Sequence, residues 1–300
     1  MVDRRAFLGG LGAALLASRL PLHAESEPVR RITLLHTNDT HSHLEPFGPG
    51  NGSLSGRGGI ARRAALVKRL RTLSPNLLLL DAGDVFQGTP YFNRFKGLLD
   101  YQLMSMMGYD AGTLGNHDFD NGVEGLVEAL GEATFPILNC NFTWKGAPRL
   151  GERIRPYLVK SCPGLKVGLT GVGVEFAGLV FPKNHAGVAW QDPVAPLRRV
   201  VQRLREVEKV DLVVVLSHLG HDHHGAAIDD LSLAQLVPGI DAIIGGHTHT
   251  FMEAPVQAGT AQIFQVGFGG VNLGRMDFVM SPTGRALACG AAAMPVGRMG

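Results

Sequence analysis

Short apolar runs recur along the chain, and most of them end in a cluster of glycines and polar residues. Continuous apolar runs of this length are typical of strands that are buried on both faces. Five of these runs precede the most polar clusters: Arg31–His36, Asn76–Leu80, Asp110–Leu114, Asp211–Leu216 and Asp241–Gly245. Further strands are predicted at Pro136–Asn139, Lys166–Val172, Gln262–Val266 and Leu273–Val279, with extended chain between Gly151 and Gly164.

Segments with helical spacing of apolar residues lie between the predicted strands. They are Ile60–Arg71, Asn93–Met107, Gly122–Ala133 and Val194–Glu208. Buried strands that alternate with helices predict a single α/β domain. The tail after Ser281 is rich in small residues and glycine, and it predicts no further domain.

The first 24 residues have the features of an export signal. Paired arginines, Arg4 and Arg5, precede a short apolar segment from Gly9 to Ala17, and a small residue, Ala24, marks a cleavage site. This order resembles a twin-arginine signal peptide, and the apolar segment is too short and glycine-rich to span a membrane well. The pattern therefore predicts a signal at 1–24, a mature domain at 25–300, and a periplasmic or extracellular protein without a stable membrane anchor.

Composition narrows the function classes. With 45% hydrophobic and 18% charged residues, the chain can bury a substantial core. The predicted signal holds three arginines and one aspartate, so 25 of the 28 basic and 25 of the 26 acidic residues remain in the mature chain. This balance argues against nucleic-acid binding by a broad basic face. Cys140, Cys162 and Cys289 lack metal-site spacing and predict no disulfide framework; we expect them to be buried as small apolar residues.

The polar clusters at the strand ends carry candidate metal ligands with nitrogen and oxygen donors only. They are Asp39, His41, Asp84, Asn116, His218, His247 and His249. Alternate residues of an extended chain point the same way, which lets Asp39 and His41 share a cation. Seven such ligands are too many for one tetrahedral zinc and suit two cations that share a carboxylate. A set without cysteine, carried on loops, favours catalysis over a structural metal.

Several other polar residues have weaker claims to the site. His117, with Asp120 three positions later, has the pattern of an acid or base oriented by a carboxylate. His43 is expected near the site or at the surface rather than as a ligand. The dense group His221, Asp222, His223 and His224 is interpreted as a solvated rim loop rather than a third metal site, and Asn139–Asn141 could border the pocket.

These motifs, taken in order, resemble those of the calcineurin-like metallophosphoesterases. They are Asp39-x-His41, Gly83-Asp84, Gly115-Asn116-His117-Asp118, His218 after a buried strand, and Gly246-His247-x-His249. The stretches Leu35–His43, Asp81–Thr89 and Gly115–Asp120 are similar to the catalytic domain of bacterial 5′-nucleotidases. The resemblance implies a four-layer α/β fold in which two mixed β-sheets pack face to face with helices on both outer sides.

The resemblance also implies roles for the site residues. Asp84 would bridge two divalent ions (Mn, Fe, Zn or Co). Asp39, His41 and His249 would complete one coordination shell, and Asn116, His218 and His247 the other. His117, oriented by Asp120, would stabilise the transition state or assist the leaving group.

The implied activity is hydrolysis of phosphate monoesters such as 5′-nucleotides. Alternatives are phosphodiesterase or pyrophosphatase action on cyclic nucleotides or nucleotide sugars, and a metal-stabilised binding module or subunit without activity. The thiohydrolases of sulfur oxidation are a less favoured branch, because they depart from the Asn116-His117-Asp118 pattern. The related nucleotidases bind the base with a second, C-terminal domain, whereas about fifty residues follow His249 here. The substrate would therefore be bound differently, or a separate chain would supply the missing domain.

Overall fold

The computed structural model describes residues 30–281 and 286–297, which leaves the predicted signal and the Cys289 side chain outside the described residues. The strands in these ranges are β1 (Arg30–Thr37), β2 (Leu77–Asp81), β3 (Ala111–Gly112), β4 (Ile137–Leu138), β5 (Phe142–Thr143), β6 (Ile154–Arg155), β7 (Tyr157–Cys162), β8 (Leu165–Gly173), β9 (Ala189–Trp190), β10 (Leu212–His218), β11 (Ala242–Gly245), β12 (Val256–Ala258), β13 (Ala261–Phe264), β14 (Asn272–Met280) and β15 (Ala286–Pro295). The helices are α1 (Ile60–Leu73), α2 (Pro90–Phe95), α3 (Leu98–Met107), α4 (Gly122–Ala129), α5 (Pro148–Gly151), α6 (Val194–Glu206) and α7 (Asp230–Leu236). Short 3-10 turns lie at Gly52–Leu54, His117–Phe119 and Leu130–Glu132.

Two mixed β-sheets form the centre of the fold. The first has the strand order β15-β14-β1-β2-β3-β4-β6, and the second has the order β12-β13-β11-β10-β8-β7. Strands β1 to β4 are parallel, as are β8, β10, β11 and β13, while antiparallel strands lie toward the edges. Side chains of both sheets, among them Leu34, Leu80, Leu169 and Val214, belong to one buried cluster. The sheets therefore pack face to face.

Helices cover both outer faces of this sandwich. On the first sheet, Leu35 and Leu79 pack in a cluster with Val67 of α1 and Met104 of α3. On the second sheet, α6 and α7 contribute Leu197 and Leu233 to the central core. The predicted four-layer α/β architecture is confirmed. It also explains the continuous apolar runs, because β1 and β2 bury alternate side chains on opposite faces.

The predicted helix Asn93–Met107 is interrupted in the structure. Helix α2 ends at Phe95 and α3 begins at Leu98. The two residues between them, Lys96 and Gly97, have left-handed backbone conformations, with φ of 52° and 89°. A Cβ atom at Gly97 would lie 1.9 Å from the Phe86 ring, so only glycine fits there. The break is a consequence of packing against Phe86, which the helical spacing of the sequence cannot show.

The chain after Ser281 contains a strand that the sequence analysis missed. Strand β15 pairs antiparallel with β14 along nearly its whole length, from Asn272↔Pro295 to Met280↔Ala286. Its alanines and glycine have low intrinsic preference for strands, so the pairing with β14 decides its conformation. Cys140 and Cys162 are free and half-buried against the core rather than fully buried as expected. None of the helices in the described ranges is long and apolar enough to cross a membrane.

Candidate metal centre

The seven predicted ligands follow the carboxyl ends of five strands. Asp39 and His41 follow β1, Asp84 follows β2, Asn116 follows β3, His218 ends β10, and His247 and His249 follow β11. The first three strands belong to one sheet and the other two to its partner sheet. The loops of both sheets meet at one end of the sandwich, as expected for parallel strands that carry a site.

The structure brings six of these residues into two groups of potential metal ligands. One group is Asp39, His41 and His249, and the other is Asp84, His218 and His247, each with its ligand atoms within 4.8 Å of one another. The groups adjoin. Oδ2 of Asp84 lies 3.1 Å from Nε2 of His218 in its own group and 3.9 Å from Nε2 of His41 in the other. This carboxylate is therefore placed to contact ions in both groups.

Backbone carbonyls orient two of the imidazoles. Nδ1 of His41 donates to the carbonyl of Phe86 at 2.9 Å, and Nδ1 of His218 donates to the carbonyl of Ala82 at 2.6 Å. A neutral imidazole that donates through Nδ1 presents the lone pair of Nε2, which is the arrangement usual for metal-bound histidines. The donor atoms of both histidines thus face the centre of the site.

Two buried atoms indicate that a cation fits there. Oδ1 of Asn116 is buried without a hydrogen-bond partner in the described residues, and Nε2 of His218 is buried beside the carboxylates of Asp84 and Asp39, at 3.1 and 3.9 Å. Both atoms can donate electron pairs to a borderline or hard divalent ion, which would also satisfy the Asn116 oxygen. The residues present therefore fit two divalent cations with nitrogen and oxygen ligands.

Glycine permits Asn116 to approach the centre. A Cβ atom at Gly115 would lie 2.1 Å from Oδ1 of Asp84 and 2.6 Å from Nε2 of His218. Any larger residue would push the strand end away from both ligands. Gly115 therefore explains why Asn116, the seventh predicted ligand, can lie beside the second group.

Five of the seven predicted ligands have left-handed backbone conformations. Their φ angles are 50° for Asp39, 47° for His41, 54° for Asp84, 74° for His247 and 52° for His249. Such conformations are uncommon outside glycine and cost about 1–3 kcal/mol each. Strain concentrated in this way at one end of the sheets supports a functional role for these turns.

The electrostatic state of the histidines agrees with metal binding. Burial lowers the pKa of His41 to about 4 and that of His247 to about 3, so both are neutral near pH 7. Burial also opposes the charged form of His218, yet the carboxylates of Asp84 and Asp39 raise the pKa of His218 to about 10. The anionic centre thus attracts positive charge, which a divalent cation would supply in place of that proton.

His117 and Asp120 form the predicted pair at the edge of the centre. Nδ1 of His117 lies 2.9 Å from Oδ2 of Asp120, and both side chains are about one-third exposed, at 34% and 29%. The hydrogen bond to Asp120 raises the pKa of His117. The backbone N–H of His117 donates to Oδ1 of Asp84 at 2.8 Å, which ties the pair to the metal centre. The other ring nitrogen of His117 is available to a ligand.

Asp118 has no role predicted from the sequence, yet its carboxylate links two of the ligand-bearing turns. It accepts backbone N–H bonds from Asp84, Val85, Phe86 and Gly115 at 2.8–3.3 Å. Its position inside the Gly115–Asp120 motif was the available signal. The role could not be assigned without the three-dimensional contacts.

The weaker candidates stay outside the two ligand groups. His43 stacks on Phe47 with a centroid distance of 4.4 Å, and the His224 side chain is 89% exposed. Nε2 of His223 lies 2.7 Å from the carbonyl of Leu219. Asn141 is fully buried and donates to the carbonyls of Gly173 and Gln191, and the suggestion that Asn139–Asn141 borders the pocket stays a prediction.

Comparisons with known proteins agree with this geometry. The calcineurin-like phosphoesterase family matches residues 32–251. The 5′-nucleotidase of Rattus norvegicus is 39% identical over 246 residues, which cover 79% of this chain and 41% of that protein. The structure of a 5′-nucleotidase precursor from Thermus thermophilus superposes with a TM-score of 0.80 at 34% identity and covers 89% of this chain and 54% of that one.

The extent of the match differs between relatives. The chain spans about two fifths or less of the length of the curated relatives that it matches. The solved chain of the calcineurin-like phosphoesterase YfkN from Bacillus subtilis is of similar extent, with 90% of this chain and 92% of that one covered at a TM-score of 0.73 and 25% identity. The matched family covers more than two thirds of this chain, including all seven predicted ligands. The chain therefore belongs to the calcineurin-like phosphoesterase family.

Proposed function

We propose that this protein hydrolyses phosphate monoesters, with 5′-nucleotides as the substrate class, at a centre of two divalent cations. The observation that carries the proposal is the pair of adjoining ligand groups, with the Asp84 carboxylate within 4 Å of imidazoles in both. The names of the nucleotidase relatives support the substrate class. The match covers only 41% and 54% of these two relatives, so their activity and substrates are proposed for this chain rather than carried over directly.

The proposed coordination follows the two groups. Asp39, His41 and His249 would hold one ion, while His218, His247 and the Asn116 carbonyl would hold the other. The Asp84 carboxylate is placed to contact both. Manganese, iron, cobalt and zinc all accept such nitrogen and oxygen ligands. When bound, two such ions would supply an activated water and charge neutralisation at the phosphoryl group.

His117 is proposed to act on the leaving group. Asp120 accepts the Nδ1 proton of His117 at 2.9 Å and so stabilises the protonated ring, whose pKa is raised by this bond. The protonated ring offers its Nε2–H to the phosphoryl oxygens or to the departing oxygen, where negative charge develops. Asn184 donates to the backbone carbonyl of Asp120 at 3.1 Å and so helps to fix the backbone of that residue.

Nucleoside recognition is proposed to need more than the metal centre. The curated nucleotidases extend well beyond the segment that this chain matches. A separate polypeptide could supply the surface that binds the nucleoside. Alternatively, residues of this domain could bind the nucleoside in a different way. A purified chain that hydrolyses 5′-AMP without a partner would favour the second.

We also propose that the protein is exported by the twin-arginine route and cleaved after Ala24. The paired arginines Arg4 and Arg5, followed by the apolar Gly9–Ala17 segment, support this proposal. Replacing both arginines by lysine should keep the precursor in the cytoplasmic fraction, whereas a matched Arg30→Lys and Arg31→Lys variant should still be exported. Equal export of both variants would contradict the twin-arginine route.

The direct test is hydrolysis by the purified chain from Glu25 onward, stripped of metal and reloaded with Mn²⁺. Phosphate release is measured from 5′-AMP, p-nitrophenyl phosphate and bis-p-nitrophenyl phosphate. His117→Ala should lower turnover by roughly 10²–10⁴-fold. The exposed His224→Ala serves as the matched control and should retain full turnover.

The preferred compound separates the alternatives. Turnover of bis-p-nitrophenyl phosphate alone would favour the diesterase. Metal binding without turnover of any of the three would favour a binding module or a subunit of a complex. Turnover that is independent of metal or of His117 would contradict the proposal.

A further inference from the structure

Arg63 is a buried arginine beside the Gly267–Gly270 turn, in the segment Ile60–Arg71 that was predicted as a helix. It lies in α1, is 2% exposed, and is the only lysine or arginine among the buried residues that the structure describes. It shares the inward face of the helix with Val67 and Leu70. The preceding residue, Arg62, is half-exposed and donates to the carbonyl of Gly56. A buried charge is costly unless its surroundings compensate for it, which argues for a specific role.

One side of the guanidinium packs against the backbone turn Gly267–Gly270. A Cβ atom at Gly270 would lie 1.7 Å from Nη1 of Arg63, so the guanidinium occupies the space that only glycine leaves free. Gly270 also has a left-handed φ of 61°. Both the backbone conformation and the close contact therefore require glycine at this position.

The Gly267–Gly270 turn contacts the first ligand group at two points. The N–H of Gly269 donates to the carbonyl of Asp39 at 2.7 Å. The Phe268 ring stacks on the His249 ring with a centroid distance of 5.0 Å and an interplanar angle of 11°. A shift of this turn would therefore move the backbone of Asp39 and the Phe268 ring that stacks on His249.

The charge of Arg63 also acts on two buried carboxylates, those of Asp81 and Asp100. Burial raises the pKa of Asp81 to about 6 and that of Asp100 to about 7, and the Arg63 charge opposes both shifts. Arg63 thus favours the ionised state of both carboxylates.

Asp81 holds two of the ligand-bearing turns. Its Oδ2 accepts the Thr37 hydroxyl at 2.6 Å, and its Oδ1 accepts the N–H of Gly83 at 2.9 Å. Thr37 precedes the Asp39 turn and Gly83 precedes Asp84. By favouring the ionised state of Asp81, the Arg63 charge supports the turns that carry Asp39 and Asp84.

We propose that Arg63 is a positioning residue that holds the Asp39–Ser42 turn and the Gly267–Gly270 turn at the spacing needed for the Asp39, His41 and His249 group to bind its cation. The inference rests on the proposed function in one respect only, namely that the site binds divalent cations. It does not require that the protein hydrolyses a phosphate ester. Residues that orient metal ligands typically contribute 10–100-fold to metal affinity, and a change of this size is expected here.

The test is Mn²⁺ binding to the metal-free chain from Glu25 onward, followed by calorimetry and by electron paramagnetic resonance. The wild-type protein should bind two ions and give the signal of a spin-coupled pair at saturation. Arg63→Met should bind one ion as the wild type does and the second about 10–100-fold more weakly. The coupled signal should then develop only at correspondingly higher Mn²⁺ concentrations.

Four further variants make the result specific. Arg62→Met removes the neighbouring arginine of the same helix and should leave both affinities unchanged. Gly270→Ala displaces the guanidinium and should weaken the same ion as Arg63→Met does. The variant that combines Arg63→Met with Gly270→Ala should bind that ion as tightly as the weaker-binding of the two single variants. The two effects should not add, because both changes disrupt one contact. Arg63→Lys retains the charge without the planar group and should show an intermediate loss.

Binding of both ions with wild-type affinity by Arg63→Met would overturn the proposal, as would a wild-type chain that binds a single ion. If circular dichroism shows that Arg63→Met is unfolded, Arg63→Lys and Gly270→Ala decide, and wild-type binding by both would overturn it. A wild-type chain that binds two ions without hydrolysing any ester would contradict the proposed function. The role of Arg63 would still be decided by the binding data.

Discussion

The two ligand groups differ in how the fold supports them. His218 and Asp84 of the second group are almost fully buried, at 0% and 1% exposure, and His218 belongs to the central strand β10. In the first group, all three ligands follow their strands on turns with left-handed conformations, and the His249 side chain is 39% exposed. Asp84 and His247 of the second group also lie on such turns, and Asp39 of the first group is buried. The difference therefore lies between His218, which a core strand holds, and His249, which contacts between loops hold.

This difference predicts that loss of the His218 side chain lowers the free energy of unfolding more than loss of the His249 side chain. Strand β10 is hydrogen-bonded on both sides, to β8 and β11, so His218 cannot move without disturbing the sheet. His249 is held by the Phe268 stack and by its neighbours in the first group. We expect changes at His218 to affect folding and metal binding together, and changes at His249 to affect metal binding alone.

The largest effect is expected for Asp84→Asn, which removes the carboxylate that the two groups share. Loss of a charge that binds two cations removes several kcal/mol of transition-state stabilisation, so kcat/KM should fall by roughly 10³-fold or more. Metal content and turnover are measured on the same preparation. Two retained ions with near wild-type turnover would contradict the assignment of Asp84 as the shared ligand.

The comparison itself is tested by His218→Ala beside His249→Ala in the metal-free protein. His218→Ala leaves the buried Asp84 and Asp39 carboxylates without their cationic partner and should lower the free energy of unfolding by about 3–5 kcal/mol. His249→Ala should change it by less than about 1 kcal/mol. Both values come from urea unfolding. Equal destabilisation would show that the two groups are supported alike.

A buried histidine outside both groups calibrates the stability measurements. His36 is fully buried, and burial lowers its pKa to about 3. Below pH 6.5 the His36 side chain of the unfolded chain takes up a proton, whereas the buried ring stays neutral. The free energy of unfolding therefore falls as the pH drops from about 6.5 toward 3, by up to about 1.4 kcal/mol per pH unit. In metal-free protein, the buried His41 and His247 add to this slope, so His36→Leu should reduce it between pH 6.5 and pH 5 without removing it. The exposed His224→Leu should leave the slope unchanged, and an unchanged slope in His36→Leu would exclude a contribution from His36.

The smallest effect is expected for Phe268→Ala, which removes the ring stacked on His249. Stacked aromatic pairs contribute about 0.5–1.5 kcal/mol, so affinity for the first ion should fall by roughly 2–10-fold. Mn²⁺ titration measures the change, with Phe251→Ala, an exposed phenylalanine on a nearby turn, as the control. A loss confined to the second ion would contradict the placement of Phe268 over the first group.

Much of the architecture and most of the site could be predicted from the sequence. Apolar runs such as Leu77–Leu80 indicate strands buried on both faces because hydrophobic periodicity is a local property. The ligands follow these runs directly, so their position at the strand ends was predictable. The motif order then linked them to one family. The assignment of His117 and Asp120 as a pair also followed from their spacing, and the structure places them 2.9 Å apart.

Tertiary structure decided what local pattern does not contain. The break at Lys96 and Gly97 depends on the Phe86 ring, and β15 forms because β14 offers it a partner. The buried position of Arg63 under Gly270, and the four N–H groups that converge on Asp118, join residues far apart in sequence. The sequence alone thus determined which side chains could bind metal. The packing of two sheets and their loops determined how these side chains are grouped, because that grouping depends on long-range contacts and on strained turns that no local preference predicts.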